Sequence, residues 1–200
     1  RRLQDEGVLP GARGIDYMLQ ALEALSEGHS KGIIHRDIKP NNLFLTRRVD
    51  GTALIKVLDF GVAKVLDEGN LAPGALTRTQ DGAVGSPFYM SPEQLRSERE
   101  LDERVDVWGV GVTLYELLTG FVPFRATSYG ALVAAITSEE PPRMASIRPE
   151  LPAALDRLAV PGRHHHRAEP GAAQKQAQRV RGEERKVVRR ESAPALGKGL

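Results

Sequence analysis

Four side chains in one stretch could do chemistry together: Asp37, Lys39, Asn42 and Asp59. Two carboxylates, an amide and an ammonium suit a divalent metal and phosphate oxygens, because such an ion takes hard oxygen ligands and the ammonium offsets phosphate charge. A hairpin would bring them together. Residues 31–61 read KGIIHRDIKPNNLFLTRRVDGTALIKVLDFG, in which two apolar runs, Leu43–Leu45 and Leu54–Leu58, flank a polar turn centred on Asp50-Gly51. Folding back at that turn delivers Asp37, Lys39 and Asn42 beside Asp59. Asp, Asn and Gly are also ordinary turn residues, and any one of them alone would more often be just that. The full string is hard to explain that way.

The string His35-Arg36-Asp37-Ile38-Lys39-Pro40-Asn41-Asn42 resembles the catalytic loop of eukaryotic-type serine/threonine protein kinases. Asp59-Phe60-Gly61, with sixteen residues between Asn42 and Asp59, resembles their metal-binding motif. Lys39, two residues after Asp37, and the later Met90-Ser91-Pro92-Glu93-Gln94 are most similar to bacterial members. The resemblance covers residues 3–158 and not the whole domain of the family.

The resemblance implies a role for each matching position. Asp37 would orient a Ser/Thr hydroxyl and accept its proton, and Lys39 would stabilise the transferred phosphoryl oxygens. Asn42 and Asp59 would hold the magnesium ions, with manganese as an alternative, that bridge the phosphates of ATP. His35 would brace the loop against Phe60, with Gly61 completing the motif. Residues 62–84 read as a mobile surface loop, in which Thr77 and Thr79 lie where relatives carry phosphorylated hydroxyls; Thr79 stands closer to the following motif. Arg36 would dock that phosphate. The bland alternative is an unmodified loop of small polar residues. Ser86 stands where many relatives have threonine, its hydroxyl able to contact Asp37 and Lys39. Glu93 would pair with an arginine much further along, and Asp106 would hold the catalytic-loop backbone.

The elements that must position these residues follow from periodicity. Ile15, Met18, Leu19, Leu22 and Leu25 recur at three- and four-residue spacing, which predicts a helix with one buried face, with Asp16 near its start. Leu3, Val8 and Leu9 precede it, before a break at Pro10-Gly11. Asp106 to Leu118 is the most hydrophobic helix, apolar around most of its circumference, and so belongs inside the domain. A buried carboxylate at Asp106 needs donors, which the catalytic-loop amides can supply. Tyr129, Leu132, Val133 and Ile136 predict a short amphipathic helix, and Leu151–Leu158 the beginning of another. His29 reads as a core or helix-end residue with no chemistry.

Composition bounds the rest. Two hundred residues, 40% of them hydrophobic, can build one core, and the absence of cysteine excludes disulfides and thiolate metal sites. No apolar run approaches the ~20 residues that span a bilayer, so the expected location is the cytoplasm, a membrane-anchored parent protein being left open. From Arg163 onward ten Lys/Arg stand against four Glu, which leaves the preceding residues at a net −4. An acidic body argues against nucleic acid as a partner.

After Leu158 the likeness ends. Val160-Pro161-Gly162-Arg163 and the three histidines His164–His166 open a polar stretch with no convincing buried face. The sequence therefore predicts two regions: 1–159, a partial kinase domain, and 160–200, a basic tail that is disordered or frame-altered. A basic helix over 174–192 on an acidic partner is the lesser alternative, and His164–His166 lack acidic or thiolate partners at ligand spacing.

The expected fold is α+β, mainly helical: a kinase-like C-terminal lobe with a small β-hairpin and without the N-terminal β-rich lobe. That lobe would carry a glycine-rich loop, a strand lysine and a helix glutamate. Gly11-Ala12-Arg13-Gly14 is the only candidate, at the wrong spacing, and 36 residues before Asp37 are too few for it. The implied activity is transfer of the ATP γ-phosphoryl group to Ser/Thr hydroxyls of a protein substrate, with the fragment inactive unless the missing lobe joins it. The alternative is a non-catalytic, pseudokinase-like interaction module. Phosphotransfer to a small molecule is disfavoured by Ser86–Glu93, a segment suited to an extended protein substrate.

Overall fold

The computed structural model describes residues 1–60, 87–98, 100–159 and 171–191. A 3-10 turn at Leu3–Glu6 buries Leu3, and helix α1 follows from Gly11 to Ser30. The expected apolar face of α1 (Ile15, Met18, Leu19, Leu22, Leu25) is buried throughout. The helix begins just after Pro10, whose fixed φ suits a helix entry. Asp16 therefore lies beyond the first turn instead of at the start, where it accepts from Gln20 Nε2 at 3.1 Å.

Strands β1 (Leu43–Arg47) and β2 (Ala53–Val57) pair antiparallel, Leu43 opposite Val57 and Arg47 opposite Ala53. The turn forms where Asp50 and Gly51 predict it: Asp50 Oδ1 accepts from Thr52 N at 2.9 Å, and Gly51 takes φ +83°. Both strand edges are covered. Arg1 exchanges backbone bonds with Leu45 on the β1 side (3.1 and 2.9 Å). On the β2 side Gln20 of α1 accepts from Ile55 N at 3.0 Å and donates to Ala53 O at 3.4 Å. One glutamine thus replaces a third strand and fixes the hairpin to α1.

The short helix α2 (Pro92–Leu95) precedes the central helix α3 (Arg104–Thr119), which is buried on almost every side and stops at Gly120 in the left-handed conformation, φ +83°. Helix α4 (Tyr129–Ser138), capped by Ser128, buries Leu132, Ala135 and Ile136. Tyr129, predicted on the buried face, is exposed, because the helix begins there and Ala135 takes the inward position. With Trp108, Val112 and Phe124 of the α3 side, α4 makes a second core, in which the rings of Trp108 and Phe124 lie 6.4 Å apart and nearly parallel. Helix α5 (Met144–Ile147) is tied by Met144 N to Asp156 Oδ1 at 2.7 Å, and α6 (Asp156–Ala159) buries Leu158.

Disorder over 160–200 is not what residues Ala172–Glu191 do. They form α7, packed along α1 and α3. Its buried side chains, Ala173, Gln176, Ala177, Val180 and Val187, recur at three-, four- and seven-residue spacing. The inward groups are small, so the backbone approaches α1 closely without a strongly apolar stripe. Gln176 donates to Leu158 O at 3.0 Å, and Ala172 N to Glu103 Oε2 at 3.1 Å, satisfying one of the N–H groups that a helix start leaves unpaired. His164–His166 lie outside the described residues.

Candidate active site

The site is built from the loop after α1, the open end of the hairpin and the first turn of α3. Asp106 is the anchor. Its carboxylate is completely buried and accepts from His35 N (2.8 Å), Arg36 N (2.6 Å) and His29 Nε2 (2.7 Å). A buried carboxylate is tolerable only with its lone pairs used, and three donors use them. Two of those donors are consecutive loop amides, which fixes the chain just before Asp37. Arg36 adopts φ +67°, a left-handed conformation that costs a non-glycine residue energy and is held by these bonds.

The loop also sits tightly on α3. A Cβ added at Gly109 would meet Ile38 Cβ at 2.9 Å and Ile38 O at 3.0 Å, so glycine is what lets the loop backbone lie against the helix. Ile38 is buried there, and Asp37 and Lys39 on either side of it keep partial access to solvent.

Asp37, Lys39 and Asn42 come together. Lys39 Nζ lies 2.8 Å from Asp37 Oδ2, and Asn42 Nδ2 donates to the same oxygen at 3.0 Å and to Asp37 O at 2.8 Å. One carboxylate oxygen is therefore held by an ammonium and an amide. Asn42 O accepts from Leu58 N at 2.8 Å, so the residue just before Asp59 is bonded to Asn42 across the hairpin mouth. Asp59 is exposed and takes φ +56°, a second left-handed non-glycine residue in the site.

His35 ties the two halves. Its Nε2 bonds Leu58 O at 2.7 Å and its Nδ1 accepts from Asp37 N at 3.3 Å, which puts the proton on Nε2. The His35 and Phe60 rings meet edge to face at 5.0 Å, so the sequence's proposed pair does come together.

Two polar residues that sequence reasoning left without a part belong here. His29, beyond its bond to Asp106, places Nδ1 3.6 Å from Glu103 Oε2, the oxygen that also receives the first amide of α7. Gln94 of α2 donates from Nε2 to Arg36 O at 2.7 Å. Neither carried a local signal, because the partners lie 77 and 58 residues away.

Glu93 is half-buried, and the cation that senses it is Arg104. The hydrogen bond that Arg104 donates to Asp102 raises the pKa of that guanidinium above its ordinary value against the effect of burial, and the charges of Asp102, Glu93 and Glu98 add to it. Tyr89 donates to Glu116 Oε2 at 2.6 Å; burial first, and then this bond, push its phenol far up, so it remains a neutral donor at any ordinary pH. Gly61, Thr77, Thr79 and Ser86 lie outside the described residues.

The donor set fits a hard divalent cation. Asn42 spends its amide nitrogen on Asp37, which leaves its carbonyl oxygen for an ion, and Asp59 offers an exposed carboxylate. Among the described residues no three His, Cys, Asp or Glu cluster as a metal cage. An ion held by this amide and carboxylate would take its other ligands from phosphate and water, the usual habit of magnesium.

Comparison with known proteins agrees with this geometry. A model described as the protein kinase domain matches residues 1–159. Serine/threonine-protein kinase pkn3 of Myxococcus xanthus is 42% identical over 161 residues, 79% of this chain and 29% of that protein. Serine/threonine-protein kinase PknB of Mycolicibacterium smegmatis is 38% identical over 155 residues, 75% of this chain and 23% of that protein. The chain thus spans less than a third of the length of these curated relatives. Among solved structures, the Rad53 kinase domain with SCD2 in complex with AMPPNP matches with TM-score 0.57 at 25% identity, covering 89% of this chain and 63% of that one. A double mutant of the Mycobacterium tuberculosis PknI kinase domain matches with TM-score 0.59 at 19% identity, over 92% of this chain and 61% of that one, a likeness of fold alone. Among the described residues no helix is long and apolar enough to cross a membrane.

Proposed function

Since the chain belongs to the protein kinase domain family, we propose that it carries the phosphoryl-transfer lobe of a serine/threonine protein kinase, acting on Ser/Thr hydroxyls of a protein. The observation that carries this reading is the convergence of Lys39 Nζ and Asn42 Nδ2 on Asp37 Oδ2, with Asn42 bonded to the strand end that leads into Asp59.

Each residue has a distinct task. Asp37, fixed through Oδ2 and still reachable by solvent, orients the acceptor hydroxyl and takes its proton. Lys39, beside it, lies where negative charge gathers on the transferring phosphoryl oxygens. Asn42, through its carbonyl oxygen, and Asp59, through its carboxylate, would hold the divalent ion that accompanies the nucleotide. Magnesium, when bound there with ATP, supplies positive charge against the β- and γ-phosphoryl oxygens. His35, Asp106 and the backbone they bind keep Asp37 in place, which matters because a small misplacement of the base costs much of the rate.

Among the described residues no segment matches the family's glycine-rich loop or its nucleotide-binding strand lysine, so in this reading ATP is held together with a second lobe. The test is to join the chain in frame to a kinase amino-terminal lobe and follow phosphate transfer to a Ser/Thr peptide. Asp37→Asn is expected to lower kcat by roughly 10²–10⁴, the range of general-base catalysis, while ATP affinity changes little. Full activity in Asp37→Asn would remove the reading.

A further inference from the structure

Helix α2 begins with a capping box. Ser91 Oγ accepts from Gln94 N at 3.3 Å, and Gln94 Oε1 accepts from Ser91 N at 3.1 Å. The same glutamine also uses its nitrogen, donating to Arg36 O at 2.7 Å. Glutamate would serve the box equally well and could not make this second bond, since an ionised carboxylate only accepts.

The receiving carbonyl matters. The Arg36 residue is left-handed, φ +67°, and its amide is already held by Asp106 Oδ1 at 2.6 Å. Gln94 therefore grips the other end of the same strained residue, and Asp37 comes next in the chain. Ser91 is fully buried, so the box is a rigid base for that grip.

We infer that Gln94 is a positioning residue for the catalytic loop: through its amide bond to Arg36 O it locks the strained residue that sets the direction of Asp37, and it couples the segment around Ser91 to the loop. This rests on the kinase reading only for its consequence in turnover; the geometric coupling stands apart from it.

Two substitutions separate the bridge from the cap. Gln94→Glu keeps the capping box and removes the bridge. Ser91→Ala removes half the box and leaves the bridge. Amide hydrogen exchange on the 200-residue chain reads both. In Gln94→Glu, exchange at Arg36 and Asp37 is expected to rise about five- to tenfold, the worth of one internal hydrogen bond, with α2 amides unchanged within about twofold. In Ser91→Ala the pattern is reversed. Unchanged exchange at Arg36 and Asp37 in Gln94→Glu, or equal loosening of the loop by Ser91→Ala, overturns the inference.

A kinetic arm uses the chain joined to an amino-terminal lobe. Gln94→Glu should lower kcat by about five- to tenfold with the KM for ATP within about twofold, because a misdirected base affects the chemical step and not nucleotide binding. An equal kcat, or a loss confined to KM, contradicts it. Absence of turnover in the joined wild type would count against the kinase reading alone, because the exchange result needs no activity.

Discussion

The carboxyl end and the flank of α1 are held by opposite kinds of physics. At its carboxyl end His29, His35 and Arg36 converge on one buried carboxylate, Asp106, and almost every bond in that region is polar and directional. Along its flank lies α7, whose inward side chains are Ala173, Ala177, Val180 and Val187 and whose ion pair with α1, Arg181 to Glu23, is exposed. The first region tolerates little change because each lost partner strands a buried polar group. The second is a close approach of small residues, sensitive to size and charge at the contact and indifferent at its rim. Glu103 joins the two, receiving Ala172 N from α7 and lying near His29.

That contrast can be broken from either side. Asp106→Asn should do the most damage, destabilising the chain by about 3–5 kcal/mol, since one of its oxygens becomes an N–H donor facing donors in a buried site; denaturant unfolding measures it. Val180→Asp should come next, at about 1–3 kcal/mol for an unpaired charge placed in the α7 contact. Its effect should be local: hydrogen exchange rises throughout α7 while α3 and the catalytic loop keep their protection. If Val180→Asp loosened the Arg36 and Asp37 amides as much as α7, the two regions would be one cooperative unit. Arg181→Ala should matter least, changing stability by less than ~0.5 kcal/mol, because an exposed ion pair gains little over its hydrated ions; a larger loss would mean that the rim and not the small apolar seam holds α7.

What could be read beforehand divides along the same line. The face of α1, the greasy α3, the hairpin turn at Asp50-Gly51 and the cluster Asp37, Lys39, Asn42 all have local signatures, either periodic or written in adjacent residues. Helix α7 was legible only as the lesser alternative of a basic helix over 174–192, because its few buried positions are two alanines, two valines and a glutamine and the rest of its sequence is dominated by charges and polar side chains. The parts of Gln20, His29 and Gln94 were equally hidden: each is a single polar side chain whose partner lies 35, 77 or 58 residues away, a distance that only the fold closes. Asp16 and Tyr129 went astray for a simpler reason, a helix boundary displaced by a few residues.

If, as proposed, these residues form the phosphoryl-transfer lobe of a kinase and share ATP with a second lobe, the two lobes must be joined for phosphate to move. The most direct test is transfer of labelled γ-phosphate to a Ser/Thr protein substrate by the 200-residue chain alone and by the chain joined to a kinase amino-terminal lobe. The expected result is no transfer above background from the chain alone and transfer from the joined protein that requires Asp37. Transfer by the chain alone that disappears in Asp37→Asn, or none from a folded, ATP-binding joined protein, would contradict it.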